Sequence, residues 1–124
     1  MNHSFAQACI EACNTCAVMC ERCAAACLHE QDVGAMAHCI ALDLDCAQIC
    51  RTSAAFMARD SRHAADLCAL CADLCDDCGE ECASHSMDHC RDCAQACRAC
   101  AEACRQMAGY SSQSGVDLQS VPAH

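Results

Sequence analysis

Cysteines recur along this chain at alternating intervals of three and four residues. That spacing places side chains on one face of an α-helix, whereas in a strand the same residues would fall on both faces. Four segments contain every cysteine of the chain. They carry Cys9, Cys13, Cys16, Cys20, Cys23 and Cys27, then Cys39, Cys46 and Cys50, then Cys68, Cys71, Cys75, Cys78 and Cys82, and last Cys90, Cys93, Cys97, Cys100 and Cys104. We therefore predict four helices, each with one stripe of thiols.

Short polar joints separate the four predicted helices, which cover about residues 3–29, 33–59, 62–83 and 86–108. Each joint offers an N-cap residue, and Gly109 is predicted to end the last helix as a C′ glycine. The candidate caps are Asp32, Asp60 or Ser61, and Ser84 or Ser86. Joints of this length make neighbouring helices antiparallel. We predict an all-α fold, an antiparallel up-down-up-down four-helix bundle with a cysteine-lined core.

Composition divides the chain of 124 residues into two parts. Residues 1–109 are predicted to form the bundle, because their cysteine stripes are separated mainly by alanine, a strong helix former. Residues 110–124, YSSQSGVDLQSVPAH, are polar and contain the only proline. We predict that they form a flexible or surface-docked C-terminal tail.

A high cysteine content in a short chain also suggests a secreted disulfide scaffold. Three features oppose that interpretation: the 19 cysteines are an odd number, the N-terminus has no signal-peptide pattern, and helix is predicted almost throughout. Disulfide scaffolds are rich in loops, whereas this chain has one proline and four glycines. We therefore expect reduced thiols and a cytoplasmic location.

The formal net charge of −10 opposes nucleic-acid binding, which requires a basic face. A membrane-spanning helix needs about 18 or more mainly apolar residues, and on reading the chain we expect none. The sequence therefore predicts a chain with neither nucleic acid nor a membrane among its partners.

Eight cysteine pairs have the form C-x-x-x-C, and side chains four residues apart on a helix have Cβ atoms about 5–6 Å apart. Two such sulfur atoms can approach one ion, which gives a two-coordinate site. Copper(I) is a soft cation that two or three thiolates satisfy, whereas structural zinc takes a closed tetrahedron of four ligands. We predict that all 19 cysteines bind copper(I), with many ions in each chain.

Three other uses of thiols fit the pattern less well. Leucine or isoleucine would fill a core better than a small, oxidisable side chain, so packing alone does not explain the stripes. Iron–sulfur sites commonly use a C-x2-C-x2-C-x3-C-P run, and no cysteine here precedes proline. A catalytic thiol needs one electropositive pocket rather than a repeated register, so we expect no enzymatic activity.

Antiparallel packing gives the predicted bundle two different ends. One end is predicted to be an apolar plug of Phe5, Phe56, Met57, Ala64, Leu67, Met107 and Tyr110. The other brings together His29, Met36, His38, His85, Met87 and His89. Imidazole and thioether groups both bind copper, so we predict that copper(I) is accepted at this second end and then passes to cysteines. The predicted accepting residues are Met36, His85, Met87 and His89, and the receiving cysteines are Cys27, Cys39, Cys82 and Cys90.

Asp43 lies in the second stripe where the repeat would place a cysteine. A carboxylate is a hard ligand that suits copper(I) poorly, so we expect Asp43 to face the rim or water rather than to coordinate the ion, which is the alternative. Leu42 could turn into the core instead. Ile40 and Leu44 lie off the stripe. This outward apolar pair suggests a contact between copies of the chain.

These features together resemble the cytosolic bacterial copper storage proteins over nearly all of residues 3–108: four alanine-rich helices, eight C-x-x-x-C repeats and an end that bears histidine and methionine. The resemblance implies a homotetramer of four-helix bundles that store many copper(I) ions, with a metallothionein-like capacity for copper homeostasis and detoxification. Taken alone, the residues leave three alternatives open. These are a zinc or cadmium buffer, a thiol redox buffer and a copper-responsive interaction protein.

Overall fold

The computed structural model describes residues 3–115, and the side chains of residues 4–109. Within that part of the chain there are four α-helices: α1 (His3–Cys27), α2 (Ala37–Ala58), α3 (Ala64–Ala83) and α4 (Asp88–Gly115). A short 3₁₀ helix, Val33–Met36, leads into α2. The predicted all-α four-helix fold is confirmed.

The four helices form a closed ring in which each helix packs against two neighbours. The helix α1 contacts α2 and α4, and α3 contacts the same two helices from the opposite side. Short joints connect successive helices, so neighbours in sequence are antiparallel and neighbours in space. The stripes of all four helices consequently face one shared core.

The joints use polar side chains, although not always as predicted. The prediction for Asp32 is confirmed, because its Oδ1 accepts a hydrogen bond from the backbone N–H of Ala35 at 3.2 Å. Ser61 does not cap α3 directly and instead accepts a hydrogen bond from the N–H of His63 at 3.1 Å. Ser84 donates to the carbonyl of Glu81 at 2.6 Å, so it closes the end of α3 rather than starting α4.

Gly109 does not end the last helix, because α4 continues to Gly115. A Cβ atom at Gly109 would have nothing within 4 Å, so this glycine occupies an open helical position. A single glycine inside a helix costs about 1 kcal/mol relative to alanine, which weakens the helix without terminating it. The first residues of the predicted tail are therefore helical, while residues 116–124 lie outside the described part of the chain.

Small side chains beside the thiols let the helices approach closely. Alanines adjacent to the stripes are buried on all four helices: Ala17, Ala47, Ala72 and Ala94. At one point α3 and α4 are so close that a Cβ atom on Gly79 would lie 3.3 Å from the Cβ of Cys97. A larger residue at this position would need Cys97 to move by a few tenths of an ångström, so glycine allows the closest approach of the two helices. Close approach is what brings sulfur atoms of different helices into contact.

One segment, Val33–Ala58, is long and apolar enough to cross a membrane by length and composition, with a hydropathy of 1.3. The expectation that the chain contains no such stretch is therefore wrong. The segment contributes Cys39, Cys46 and Cys50 to the core, and cysteine scores as apolar on hydropathy scales. Part of its apolar character thus belongs to thiols that face the other helices of the bundle.

Candidate metal-binding core

Every cysteine of the chain lies inside the bundle as a free thiol. All 19 fall within the described residues, and the exposed fraction of each is 0%. The stripes predicted from the spacing therefore converge on one interior. Cysteine is the most frequent residue of the buried core, with alanine next.

Thiols four residues apart on one helix come within reach of a shared ion. The Sγ–Sγ distance is 3.9 Å for Cys16 and Cys20, and 4.0 Å for Cys46 and Cys50. The two sulfur atoms of a C-x-x-x-C pair are thus close enough to contact one ion.

The shortest sulfur contacts nevertheless join different helices. Cys46 on α2 lies 3.5 Å from Cys75 on α3, and Cys9 on α1 lies 3.5 Å from Cys104 on α4. These contacts are shorter than those within one helix. The ladder of pairs predicted from the sequence is therefore part of a three-dimensional network of thiols.

Groups of four thiols recur along the core, and within each group all sulfur atoms lie within 4.8 Å of one another. Each of five such groups combines residues of three helices. The five are Cys13, Cys71, Cys100 and Cys104; Cys16, Cys46, Cys50 and Cys75; Cys16, Cys20, Cys46 and Cys97; Cys20, Cys78, Cys93 and Cys97; and Cys23, Cys27, Cys39 and Cys90.

Neighbouring groups share members. Cys16 and Cys46 belong to two of the groups, and so do Cys20 and Cys97. A thiolate that belongs to two groups must bridge metal ions if both groups are filled. The arrangement therefore suits clusters of bridged ions better than a row of separate sites.

Burial keeps two thiols protonated at the end predicted to accept copper. Desolvation raises the pKa of Cys90 to about 11 and that of Cys27 to about 12. Metal binding requires the thiolate, so each ion that binds there must displace a proton. A singly charged ion that replaces one proton leaves the charge of the buried core unchanged.

Asp43 lies in the middle of this core with an exposed fraction of 0%, so the expectation of a rim or water-facing position is wrong. Its Oδ1 accepts hydrogen bonds from the thiols of Cys78 at 3.2 Å and Cys93 at 3.4 Å. Leu42 is half-buried and packs against the core from its edge. Thiol donors from two other helices replace the water that a buried carboxyl group would otherwise need.

Burial and the neighbouring thiols raise the pKa of Asp43 to about 8, with desolvation as the largest cause and the charge of Cys93 next. The neutral carboxyl group is then the dominant form in the metal-free core at neutral pH. The carboxyl oxygens of Asp43 contact the sulfur atoms of the core. Asp43 occupies a position of the α2 stripe at which the repeat predicts a cysteine.

The end predicted to accept copper does bring histidine and methionine together. Met36 is buried, Met87 is half-buried against the core, and His85 and His89 are partly buried. His29 and His38 lie at the same end but are exposed. Of the six residues predicted at this end, the four proposed as ligands are thus the four that are withdrawn from solvent.

His89 makes the closest connection between this end and the thiols. Its Nδ1 lies 3.5 Å from Sγ of Cys23 and 3.6 Å from Sγ of Cys90, and its Nε2 is 2.9 Å from Oε2 of Glu30. An ionised carboxylate can only accept, so Nε2 carries the hydrogen. In the neutral ring the free electron pair on Nδ1 then points toward the thiols.

His85 is held by a second carboxylate. Its Nε2 lies 2.8 Å from Oε2 of Glu81, and Nε2 of His38 lies 4.0 Å from Oε1 of the same residue. The contact between Glu81 and His85 could be predicted from the sequence, because Glu81 precedes His85 by about one helical turn. Glu30 was not, because the loop after α1 must fold back over α4 before it meets His89.

The opposite end is only partly the predicted apolar plug. Met57, Met107 and Ala64 are buried there. Phe5 is 37% exposed, and Phe56 is half-buried with the guanidinium of Arg59 4.8 Å from its ring centre. Leu67 is half-buried as well, and the side chain of Tyr110 lies outside the described residues. Methionine, not phenylalanine, closes this end of the core.

Known proteins are similar to this chain in both sequence and architecture. A curated relative from Bacillus subtilis (strain 168), the cysteine-rich protein YhjQ, is 47% identical over 68 residues, which are 55% of this chain and 63% of that relative's length. The matched stretch thus spans less than two thirds of YhjQ.

Two solved structures match over most of their length. Copper(I)-bound copper storage protein BsCsp3 is 47% identical, with a TM-score of 0.81 and a match that covers 84% of this chain and 98% of that chain. A cytosolic copper storage protein from Streptomyces lividans, described with five coppers, is 39% identical, with a TM-score of 0.83 over 86% of this chain and 93% of that one. The family model for copper storage proteins matches residues 2–109. This chain therefore belongs to the copper storage protein family.

Proposed function

We propose that this protein stores many copper(I) ions in its thiol-lined core, for copper homeostasis and detoxification, and that it is not an enzyme. One observation carries the proposal: three of the four-thiol groups share members, and contacts such as Cys50 with Cys100 at 3.7 Å and Cys39 with Cys82 at 3.6 Å extend them into a continuous buried network. Bridging thiolates are needed to fill such a network. Copper(I), which binds thiolates at low coordination number, is suited to that arrangement.

Charge favours copper(I) over zinc in this interior. Each copper(I) ion can replace one thiol proton, so the core remains neutral as ions accumulate. A zinc ion held by four thiolates leaves two negative charges in the site, and buried charge without compensation is costly. A zinc or cadmium buffer is therefore the weaker alternative for a core that holds all 19 thiols.

A redox buffer is also disfavoured by the packing. A disulfide requires Cβ atoms about 3.5–4.5 Å apart, whereas residues four apart on one helix have Cβ atoms about 5–6 Å apart. Oxidation of the C-x-x-x-C pairs would therefore strain the helices. Metal binding instead inserts an ion between sulfur atoms and keeps the helices where they are.

Anaerobic titration of the reduced chain with copper(I) tests the proposal directly. We expect saturation at a number of ions comparable to the 19 thiols, measured as bound copper per chain in the presence of a competing copper(I) chelator. A parallel titration with zinc should saturate at fewer ions, because separate tetrahedra cannot share the same thiols without accumulating charge. Copper(I) saturation at only a few ions would refute storage, and preferential retention of zinc would refute the choice of metal.

We propose further that copper(I) enters at the end that bears Met36, His85, Met87 and His89. Support comes from His89, whose Nδ1 lies within 3.6 Å of two core thiols while its other ring nitrogen is bonded to Glu30. An ion bound by Nδ1 of His89 would lie next to the thiols of Cys23 and Cys90 and could pass directly to them. The opposite end has its core closed by buried methionines.

Replacing these four residues should slow copper loading. In a variant with M36L, H85A, M87L and H89A, we expect the rate of transfer from a copper(I)–chelator complex to fall at least about tenfold, while the number of ions bound at saturation stays nearly the same, since the thiols remain. Stopped-flow absorbance at the chelator band measures the rate. H38A is the matched control, because His38 is at the same end with its side chain 72% exposed. An unchanged rate in the fourfold variant would contradict this route of entry.

The location and assembly of the chain belong to the same proposal. We propose a cytoplasmic homotetramer that binds neither nucleic acid nor membranes. The Streptomyces lividans relative is described as cytosolic, and the net charge of −10 disfavours phosphate-bearing partners. Leu44 is 49% exposed on the outer side of α2, and its contact with a second copy would cover the most apolar helix of the bundle.

A further inference from the structure

Three cysteines have no cysteine four residues away on their own helix. Sixteen of the 19 fall into the eight C-x-x-x-C pairs, and the three that remain are Cys39, Cys68 and Cys90. All three are fully buried. These three thiols therefore lack the second cysteine that a C-x-x-x-C pair supplies, and a metal ion bound to one of them needs a ligand from outside such a pair.

Each of the three contacts a donor atom that is not a cysteine sulfur. Cys39 lies 3.9 Å from Oδ2 of Asp43, and Cys90 lies 3.6 Å from Nδ1 of His89. Cys68 donates a hydrogen bond to Sδ of Met57 at 3.6 Å. Asp43 and His89 lie in the middle and at the accepting end of the core, whereas Met57 lies at the end that was predicted to be a plug.

The position of Met57 on α2 continues the ligand stripe of that helix. Buried residues recur there with the same alternation of three and four as the cysteines of the other helices: Cys39, Asp43, Cys46, Cys50, Ser53 and Met57. Met57 is 2% exposed, so its thioether points into the core and away from water. It stands where a further cysteine of the stripe would stand.

Cys68 connects Met57 to the rest of the network. The thiols of Cys104 and Cys9 both interact with Cys68, and those two sulfur atoms lie 3.5 Å apart. Cys104 also belongs to the group formed with Cys13, Cys71 and Cys100. A metal ion between Cys68 and Met57 would therefore lie next to the four-thiol group that contains Cys104.

We propose that Met57 is a thioether ligand that completes, with Cys68, a copper(I) site at the closed end of the bundle. The inference rests on the proposed storage function. The ion replaces the proton of the Cys68 thiol, which leaves to solvent, while the neutral thioether donates an electron pair and neither gains nor loses charge. Thioether sulfur is a soft ligand that selects copper(I), whereas zinc sites use thiolate, imidazole and carboxylate.

Packing is the competing explanation, since methionine readily fills gaps in cores. The same end supplies a matched control in Met107, which is 0% exposed on α4. Among the hydrogen bonds of the described residues, a thiol is paired with the sulfur of Met57 and none with that of Met107. Replacement of either residue by leucine preserves volume and removes only the sulfur.

Methyl NMR and copper retention together test the site. The full chain, labelled with [methyl-13C]methionine, is reduced and loaded anaerobically with copper(I), and the methyl resonances are assigned by nuclear Overhauser effects and by the M57L and M107L variants. We expect the Met57 methyl resonance to shift on saturation by more than that of Met107. We also expect M57L to lose one ion per chain, or to retain it about tenfold more weakly against a chelator, while M107L retains all its ions.

A Met57 methyl resonance that stays in place at saturation overturns the proposal, as does equal copper retention in M57L, M107L and the parent chain. If M57L does not fold, the resonance of the parent chain decides alone. Failure of the storage function gives a different result, since the parent chain itself would then saturate at only a few ions.

Discussion

Saturation with copper(I) is expected to raise the thermal unfolding midpoint of the reduced protein by more than about 20 °C. The metal-free bundle has an unusual core, with two phenylalanines, one tyrosine and no tryptophan in the whole chain. Its interior is filled by thiols and alanines, whose burial removes less apolar surface from water than leucine or phenylalanine would. Much of the stability of the loaded protein should therefore come from the metal.

Mass action sets the size of this effect. A site that binds only the folded state contributes about 2.7 kcal/mol when free ligand is at 100 times its dissociation constant, and 1 kcal/mol shifts the midpoint of a domain of this size by about 4 °C or more. Several filled sites are thus enough to raise the unfolding midpoint by more than about 20 °C, even though the unfolded chain also binds copper(I) through its cysteines. The folded network retains the advantage because its sulfur atoms already lie 3.5–4.0 Å apart.

Far-UV circular dichroism under anaerobic conditions measures the midpoint with and without copper(I). The control is the same sample after removal of copper by a competing chelator, which should return the midpoint to its metal-free value. A second control uses zinc at the same number of equivalents, for which we expect a smaller shift. A midpoint that copper(I) leaves unchanged, or lowers, would contradict a folded core prepared for many ions.

The spacing of the cysteines was sufficient to predict the helices and the interior. An alternation of three and four residues has only one regular conformation that keeps all the thiols on one side, and short joints then require antiparallel neighbours. The spacing could not predict which thiols of different helices meet. Contacts such as Cys46 with Cys75 depend on the relative height of two helices, and that is set by alanine packing and by close approaches such as Gly79.

Asp43 shows how a sequence-based interpretation failed although the position was read correctly. The stripe placed the residue in line with the cysteines, but a carboxylate is a hard ligand that suits copper(I) poorly, so a solvated position was expected. The structure surrounds it with thiol donors from other helices, including Cys78 and Cys93. A thiol is a weak donor when taken singly, and only the three-dimensional arrangement reveals that several converge on one carboxyl group.

Asp43 should make the metal-free protein less stable as pH rises from about 4 to about 8. Its pKa is about 8 in the folded state against an ordinary value of 3.8, so the folded state keeps a proton that the unfolded state releases. A group with a raised folded pKa contributes its stability below the unfolded pKa and loses it as pH approaches the folded pKa. The groups that face Asp43 from the four helices are Cys23, Cys39, Cys78, Cys82 and Cys93.

The D43N variant separates this contribution from that of every other titrating group. Its side chain cannot ionise, so the difference in unfolding free energy between D43N and the parent should move in favour of D43N by about 3–4 kcal/mol between pH 5 and pH 8. Urea unfolding of the reduced, metal-free protein at the two pH values measures that difference. D45N is the matched control, because Asp45 is exposed on the same helix two residues away.

The expected result for D45N is a difference from the parent that is the same at both pH values, since the side chain of Asp45 lies in water in the folded protein as it does in the unfolded chain. Parallel behaviour of D43N and D45N would show that Asp43 is ionised in the folded core at neutral pH. In that case the thiols around it would stabilise a carboxylate anion, and the core would carry a fixed negative charge before any copper(I) arrives. A pH-dependent difference confined to D43N instead means that Asp43 is neutral in the empty core at neutral pH.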